Sequence, residues 1–518
     1  MHKIKLYVVL LTALLVLILV NLNANAQATT NSGNKIMLVY DSKNTADHDE
    51  KKIDTLQRIL TSMNFRVRTL KESNYHGGML NSSYTAVITM VNWDEAGFTN
   101  HQFESDRDNF TGYKIHIGAG LTNNEATQMN VTTARVHQQQ FILDDGDNQQ
   151  ILPFSESITV IKKAPSGAQP IGELKTQQQN QKNYSFSTIV GKNAYIPEIA
   201  NNGLELMVAE STLSQLFGDN SQYKPLLTFT NVSPYVNLKL LVKTSKYCSD
   251  HNIPFAISTV TVDKNTELQA YKRFTTALRK VENYGGVIFV QAPTIGGATK
   301  DDGPELSQMF TKYFVSFANN QVFPVGISAQ NFWNQDTVLR NNSLAKADHW
   351  LLLPNTDVTY LKQDNNSRTA VQSLFALPAS SINSMKNTSK IKFNVPTALT
   401  ISIPESNSQL QTDKKEIDSL QTDWLSPKNE RWQTRIHSGS TTVEYRSGKY
   451  YLNKEYEKIK NKTSTFHVKD NGQTSNTIFK RFFKIQGLIL AVFFILVSLI
   501  LTVFILIGRR IYRNMFKR

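Results

Sequence analysis

The chain has 518 residues, a formal net charge of +14 and one cysteine, Cys248. A single cysteine excludes an intrachain disulfide and a zinc site built from thiolates. The folded state must therefore depend on hydrophobic cores, and the chain is long enough to form two or three domains.

The amino terminus has the layout of a secretory signal. Residues 1–26 combine a basic start, an apolar run from Leu6 to Val20 and the sequence Ala24-Asn25-Ala26 ahead of Gln27. This pattern predicts a signal peptide that exports the bulk of the chain, whether it is cleaved or kept as an anchor. An exported protein without disulfides is typical of a Gram-positive cell surface.

Residues 35–125 predict an N-terminal α/β layer domain. The apolar run IMLVYDS is followed by apolar residues at helical spacing between positions 53 and 63, and then by the strand patterns FRVRTL, YTAVITMV and YKIHIGAGL. Strands that alternate with a helical segment favour a parallel sheet. Residues 126–203 are rich in Gln and Asn and alternate only over short runs, so we predict a β-rich connecting region there.

Residues 204–400 predict a second α/β domain built as a (β/α) barrel. Strand patterns occur at Leu226 to Phe229, Phe255 to Thr259, Gly286 to Val290 and Val322 to Ile327, with helical patterns between them. This order implies right-handed crossovers and parallel strands. Ligands bind at the carboxyl ends of such strands, so a site is expected just after Phe229, Val290 and Ile327.

The carboxyl-terminal part predicts a membrane anchor. Residues 401–484 are expected to form a mixed region and a juxtamembrane stalk. Ile485 to Ile507 carries no charge and is long enough to span a bilayer as a helix. The basic tail, residues 508–518, would lie in the cytoplasm against anionic lipids, which leaves the bulk of the protein outside the cell.

The basic charge does not indicate nucleic-acid binding. Ten of the cationic residues lie in the signal, the flank of the span and the tail, where acidic residues are absent: Lys3, Lys5, Lys480, Arg481, Lys484, Arg509, Arg510, Arg513, Lys517 and Arg518. Of the net charge of +14, these ten account for +10 and residues 27–479 for only +4. We therefore expect no nucleic-acid partner.

Four stretches resemble the membrane-anchored, YdaL-type branch of the polysaccharide deacetylase (NodB-homology) superfamily. They are TFTNVSPYVNLKLL, HNIPFAIST, GGVIFVQAPTIGG and VFPVGISAQNFW, and the sequence YIPEI and the N-terminal domain also fit that branch. The resemblance implies a distorted (β/α) barrel. It also implies that one aspartate and two histidines hold a divalent metal, while a second aspartate acts as the base on metal-bound water.

The residues that this resemblance implies for catalysis are absent here. Thr230 and Asn231 occupy the places of the two aspartates, Gln291 and Ile295 those of the first histidine pair, and Asn331 that of a further histidine. Threonine is not a base near neutral pH, and isoleucine cannot bind a metal. We therefore predict no metal, no cofactor and no family-type catalytic residue.

The same positions suggest a ligand-binding role instead. Asn231, Gln291 and Asn331 are expected at one barrel mouth with Thr230, where amides can bind sugar hydroxyls and N-acetyl groups. Tyr235 and Trp333 would supply stacking faces. Alternatively, the amides only satisfy one another and the nearby backbone.

Three functions remain open at this stage. The preferred hypothesis is a pseudo-deacetylase that binds or guides an exopolysaccharide beside a membrane glycosyltransferase or export machinery. The second is an active polysaccharide hydrolase or deacetylase with a non-standard site, for example Asp301, Asp302 and His349. Paired carboxylates suit glycoside cleavage, although Asp301 and Asp302 also fit a helix-start turn. The third is a structural or adhesive surface protein.

Overall fold

The structure is a computed structural model that describes residues 34–459, with gaps at 95–96, 177–181, 296–297, 357–363, 384, 386 and 430–431, and the isolated positions 497 and 509. The predicted signal peptide lies outside the described residues. So does the predicted span, apart from position 497. None of the helices that the structure describes is both long and apolar enough to cross a bilayer.

The N-terminal strands form the predicted parallel core, in the order β2-β1-β3-β4. Their bounds are β1 Lys35–Tyr40, β2 Arg66–Lys71, β3 Ala86–Val91 and β4 Tyr113–Gly118. The helices between and after them are α1 Glu50–Ser62, α2 His101–Asn109 and α3 Asn123–Met129. Ile53, Leu56, Ile59 and Leu60 of the predicted helical face are buried in α1, while Met63 follows the helix and is half-buried.

The β-rich region continues this sheet rather than forming a separate connection. Its strands are β5 Thr132–Gln139, β6 Phe141–Asp144, β7 Gln149–Ile151, β8 Ser155–Lys163, β9 Gln169–Thr176, β10 Asn183–Val190 and β11 Asn193–Ile196. Strand β11 pairs parallel with β4, and the antiparallel strands follow from β10, which completes an eleven-stranded sheet. Helix α4 (Gly203–Leu216), which opens the predicted barrel domain, packs against this sheet, and the first barrel strand begins at Leu226.

Seven parallel strands close into a barrel, which confirms the prediction of a parallel barrel. They are β12 Leu226–Val232, β13 Phe255–Thr259, β14 Val287–Gln291, β15 Gly326–Gln330, β16 His349–Leu353, β17 Gln372–Pro378 and β18 Thr397–Ser402. The helices in this part of the chain are α5 Leu238–Asp250, α6 Gln269–Asn283, α7 Gly303–Asn319, α8 Phe332–Gln335 and α9 Thr337–Asn342. Cys248 is fully buried in α5, and burial raises the pKa of its thiol to about 12.

A helix and a small sheet follow the barrel. Helix α10 spans Asn407–Ser419, and the antiparallel strands are β19 Gln433–Ser438, β20 Thr441–Arg446, β21 Lys449–Leu452 and β22 Glu455–Glu457. The sheet contacts the barrel, since the Arg435 amide donates to Asp348 Oδ1 at 2.8 Å and Trp432 Nε1 donates to Gln372 Oε1 at 3.1 Å. Much of the predicted mixed region is therefore an integral part of the fold.

Candidate functional site

Thr230 and Asn231 lie within β12, at a β-bulge, whereas the predicted strand ended at Phe229. The pairing of β12 with β13 shifts register between Phe229 and Val232. Asn231 has φ of 60°, a left-handed conformation that asparagine tolerates better than most residues. The bulge turns the exposed Asn231 side chain toward β18, where its Nδ2 donates to Ser402 Oγ at 3.0 Å.

Gln291 ends β14 and connects to a chain of hydroxyls inside the barrel. Its Oε1 accepts a hydrogen bond from Ser258 Oγ at 3.1 Å, and Ser258 Oγ lies 2.7 Å from Ser328 Oγ. Both serines are fully buried. Ile295, at the other position where a family histidine is expected, packs against the hydrophobic core.

Three of the predicted site residues, Thr230, Asn231 and Gln291, line one cavity at the carboxyl end of the barrel. We call this space of about 470 Å³ the barrel-mouth cavity. Its lining includes Thr230, Asn231, Gln291, Gln330, Leu353, Pro354, Thr356, Pro378, Ser380, Thr400, Ile401, Ser402, Gln409, Asp413 and Glu416. The position agrees with the expectation that a site follows the strand ends.

Asn331 and Trp333 are not available to a ligand in this arrangement. Asn331 is fully buried, and its Nδ2 donates to Gln57 Oε1 of α1 at 2.8 Å. Trp333 is also fully buried and packs edge-on against Phe310, with ring centroids 6.0 Å apart. The stacking face predicted for Trp333 is therefore a core contact. Sequence reasoning missed both causes: α1 covers the strand end at Asn331, and Phe310 of α7 packs against Trp333.

Tyr235 remains accessible. Its side chain is 89% exposed on the loop that follows β12, at the same end of the barrel as the cavity. It does not belong to the cavity lining. Tyr235 can therefore act on a ligand only where that ligand extends beyond the rim.

Two carboxylates reach the cavity from α10, and sequence reasoning did not find them. Asp413 is 5% exposed, and its Oδ2 makes no hydrogen bond among the described residues. Burial, with a smaller contribution from Glu416, raises the pKa of Asp413 to about 6. The available signal was its spacing, since Asp413 shares the buried face of α10 with Leu410 and Ile417.

The structure separates the three residues suggested for a non-standard site. Asp302 caps a short helical turn by accepting hydrogen bonds from the amide and hydroxyl of Thr299, as the capping interpretation expected. Asp301 and Asp302 follow the carboxyl end of β14. His349 begins β16 at the opposite end of the barrel, where its Nδ1 lies 2.8 Å from Asp348 Oδ1. They do not form one site.

Within the part of the chain that the structure describes, no group of three His, Cys, Asp or Glu side chains is placed to hold a metal ion. A scan against protein-family models gave no match for the chain, and a search of curated proteins found no significant similarity. The interpretation of function therefore rests on the cavity and on the sequence.

Proposed function

We propose that this chain is an extracytoplasmic, membrane-anchored pseudo-deacetylase that binds or guides a cell-surface polysaccharide during its synthesis or export. One observation supports this most: Thr230, Asn231 and Gln291 line a cavity at the carboxyl end of a parallel barrel. The family resemblance places metal and base residues at these positions, whereas here they are a hydroxyl and two amides.

The residues at the expected catalytic positions, Thr230, Asn231 and Gln291, suit sugar binding better than water activation. Amide and hydroxyl groups both donate and accept hydrogen bonds, as sugar hydroxyls and N-acetyl groups require. Asn231 and Gln291 are neutral, so neither replaces a carboxylate base or an imidazole ligand. A chain of sugar residues that is held without hydrolysis is the expected result.

The sequence supplies the rest of the proposal. The signal pattern of residues 1–26 and the apolar segment 485–507 support a single-pass protein whose bulk is extracellular. The basic tail favours anionic lipids, and a polysaccharide emerging at the membrane implies a glycosyltransferase or export machinery as partner.

The test is retention of the protein on a gel carrying the surface polysaccharide of its own cells. Asn231→Gly removes the amide and tolerates the left-handed backbone, so weaker retention would report the lost contact. Asn252→Gly is the matched control, because Asn252 is also left-handed and exposed but lies at the other end of the barrel, ahead of β13. Equal retention of wild type and Asn231→Gly would contradict the proposal.

A second candidate function is hydrolysis of the polysaccharide. Asp413 favours it, because a carboxyl with a pKa near 6 can donate a proton to a leaving oxygen, and Glu416 lines the same cavity. Release of acetate or of new reducing ends from an acetylated glucosamine polymer, lost in Asp413→Asn, would support this candidate over simple binding. Metal analysis of the same preparation would separate a deacetylase from a glycosidase.

A further inference from the structure

A second and larger cavity lies between the N-terminal sheet and the barrel. We call it the interdomain cavity; its volume is about 560 Å³. Helix α1 forms one wall with Asp54, Thr55 and Gln57, and the strand ends of the barrel form the other. Asn201 and Asn202, just before α4, lie at its edge.

The two cavities adjoin. Pro354, Thr356 and Pro378 line both of them. Pro354 and Thr356 follow β16, and Pro378 ends β17, so the shared wall belongs to the carboxyl end of the barrel. A ligand too long for the barrel-mouth cavity can therefore pass over this wall into the interdomain cavity.

The lining of the interdomain cavity is also rich in amides and hydroxyls. Asn202 occupies the N-cap position of α4, yet its side chain makes no capping hydrogen bond, and the residue is exposed. The Asn201 Oδ1 lies 3.0 Å from Thr55 Oγ1, which fixes the orientation of that amide. The lining also carries charges of both signs, with Lys43, Lys51 and Arg58 against Glu50 and Asp54. Arg58 Nε donates to Asp54 Oδ2 at 3.0 Å. Because these charges nearly balance, the surface favours a hydroxyl-rich ligand without a large net charge.

The distance between the two cavities is fixed by direct contacts between the N-terminal domain and the barrel. Arg58 Nη1 donates to Ala376 O of β17 at 2.8 Å. The Val67 amide of β2 donates to Ser367 Oγ, and the Ser367 amide donates to Val67 O, both at 2.8 Å. Because the two cavities lie at a fixed distance, a chain of matching length can bind both without a free-energy cost of domain closure.

We propose that the interdomain cavity is a second saccharide subsite, continuous with the barrel-mouth cavity, so that the protein binds a neutral or N-acetylated glycan segment longer than one cavity holds. This inference rests on the proposed function and adds that affinity increases with chain length. The N-terminal domain is then part of the binding site.

Calorimetry with size-fractionated fragments of the cell's own surface polysaccharide tests the inference. In wild type, long fragments should bind at least about tenfold more tightly than the shortest fragments that bind. Asn202→Trp fills the interdomain cavity from an exposed, extended backbone position and should remove this gain while short fragments bind as before. Asn202→Ala should reduce the gain in part. Gln215→Trp, exposed on the same helix and outside both linings, is the control.

The outcomes separate the two proposals. If affinity does not rise with length, or if Asn202→Trp keeps the full gain, the second subsite is refuted and the barrel-mouth proposal stands. If no fragment binds to wild type, or if Asn231→Gly binds every fragment as wild type does, both proposals fall. Unchanged melting temperatures of the variants show that any loss is local.

Discussion

Asn331 of the barrel donates its side-chain amide to Gln57 Oε1 of the N-terminal helix α1 over 2.8 Å. Both residues are buried, so the contact replaces solvent at this part of the barrel mouth. The neighbouring Arg58 is buried too, with its guanidinium 4.5 Å from the centre of the Phe375 ring. Helix α1 is therefore a fixed cover over one side of the barrel.

We expect Arg58→Ala to lower the free energy of unfolding by about 3–5 kcal/mol, because it leaves the Asp54 carboxylate buried without its cation and removes the hydrogen bond to Ala376 O. Urea denaturation measures the effect. Lys246→Ala, which breaks an ion pair with Asp250 that is exposed on both sides, should have a much smaller effect. A loss for Arg58→Ala as small as that control would show that the cover does not depend on Arg58.

Trp333→Ala should destabilise the protein by about 3–5 kcal/mol, since the indole is fully buried and its removal leaves a large void. Tyr235→Ala should leave stability unchanged, because that ring is 89% exposed. Thermal unfolding compares the two variants. If Trp333→Ala melted like wild type but bound glycan poorly, the ring would have to reach the ligand, contrary to the packing described.

Asp413→Asn should stabilise the protein above pH 6 by about 1–2 kcal/mol. The pKa of the Asp413 carboxyl is raised to about 6 in the folded state. Between about pH 4 and 6 the folded protein therefore keeps a proton on Asp413 that the unfolded chain releases. The destabilising effect of ionisation is absent well below pH 4, appears between about pH 4 and 6 and is complete above that range. Unfolding free energies of wild type and Asp413→Asn should thus converge at low pH; a constant difference across pH would exclude this explanation.

Three buried glutamates should make wild type less stable as pH rises from about 5 to 8. Burial raises the pKa values of Glu205, Glu210 and Glu282 to about 8, above the unfolded value, so the folded state binds more protons than the unfolded state in this range. We expect the melting temperature to fall across it.

Glu282→Gln isolates one of these groups. Glu282 Oε1 accepts the Phe323 amide at 2.7 Å, and the glutamine oxygen can keep this bond. The variant should lose part of the pH dependence and gain up to a few kcal/mol at pH 8 relative to wild type. Glu104→Gln, on α2 and away from these groups, should show the same dependence of stability on pH as wild type. If Glu282→Gln also showed the wild-type pH dependence, the raised pKa of Glu282 would be contradicted.

Four of the seven barrel strands, β12 to β15, could be located from sequence because their apolar runs are short and separated by clear helical periods. Strand β15 nevertheless begins at Gly326 rather than at the predicted Val322. Phe255–Thr259 matches its predicted bounds, and β14 ends at Gln291, one residue beyond the prediction. The meeting of Thr230, Asn231 and Gln291 followed from the rule that parallel strands present their carboxyl ends together. Local patterns were sufficient for these features.

The remaining features depend on contacts between residues far apart in the chain. Asn331 and Gln57 are separated by 274 positions, and no local pattern shows that a helix from another domain covers a strand end. Asp413 reaches the cavity from a helix that follows the last barrel strand. The bulge at Asn231 was also missed, since the predicted strand ended at Phe229 and the irregular pairing lies beyond it.

The cover formed by α1 has a consequence for how this protein can be divided. A shortened chain starting at β12 would lose the contacts that α1 makes with the Phe375 ring, the Ala376 carbonyl and the Asn331 amide. It would also lose the hydrogen bonds between Val67 of β2 and Ser367. We therefore expect the N-terminal sheet and the barrel to fold as one unit. Replacing the N-terminal sheet by an unrelated domain would require new partners for each of these barrel residues.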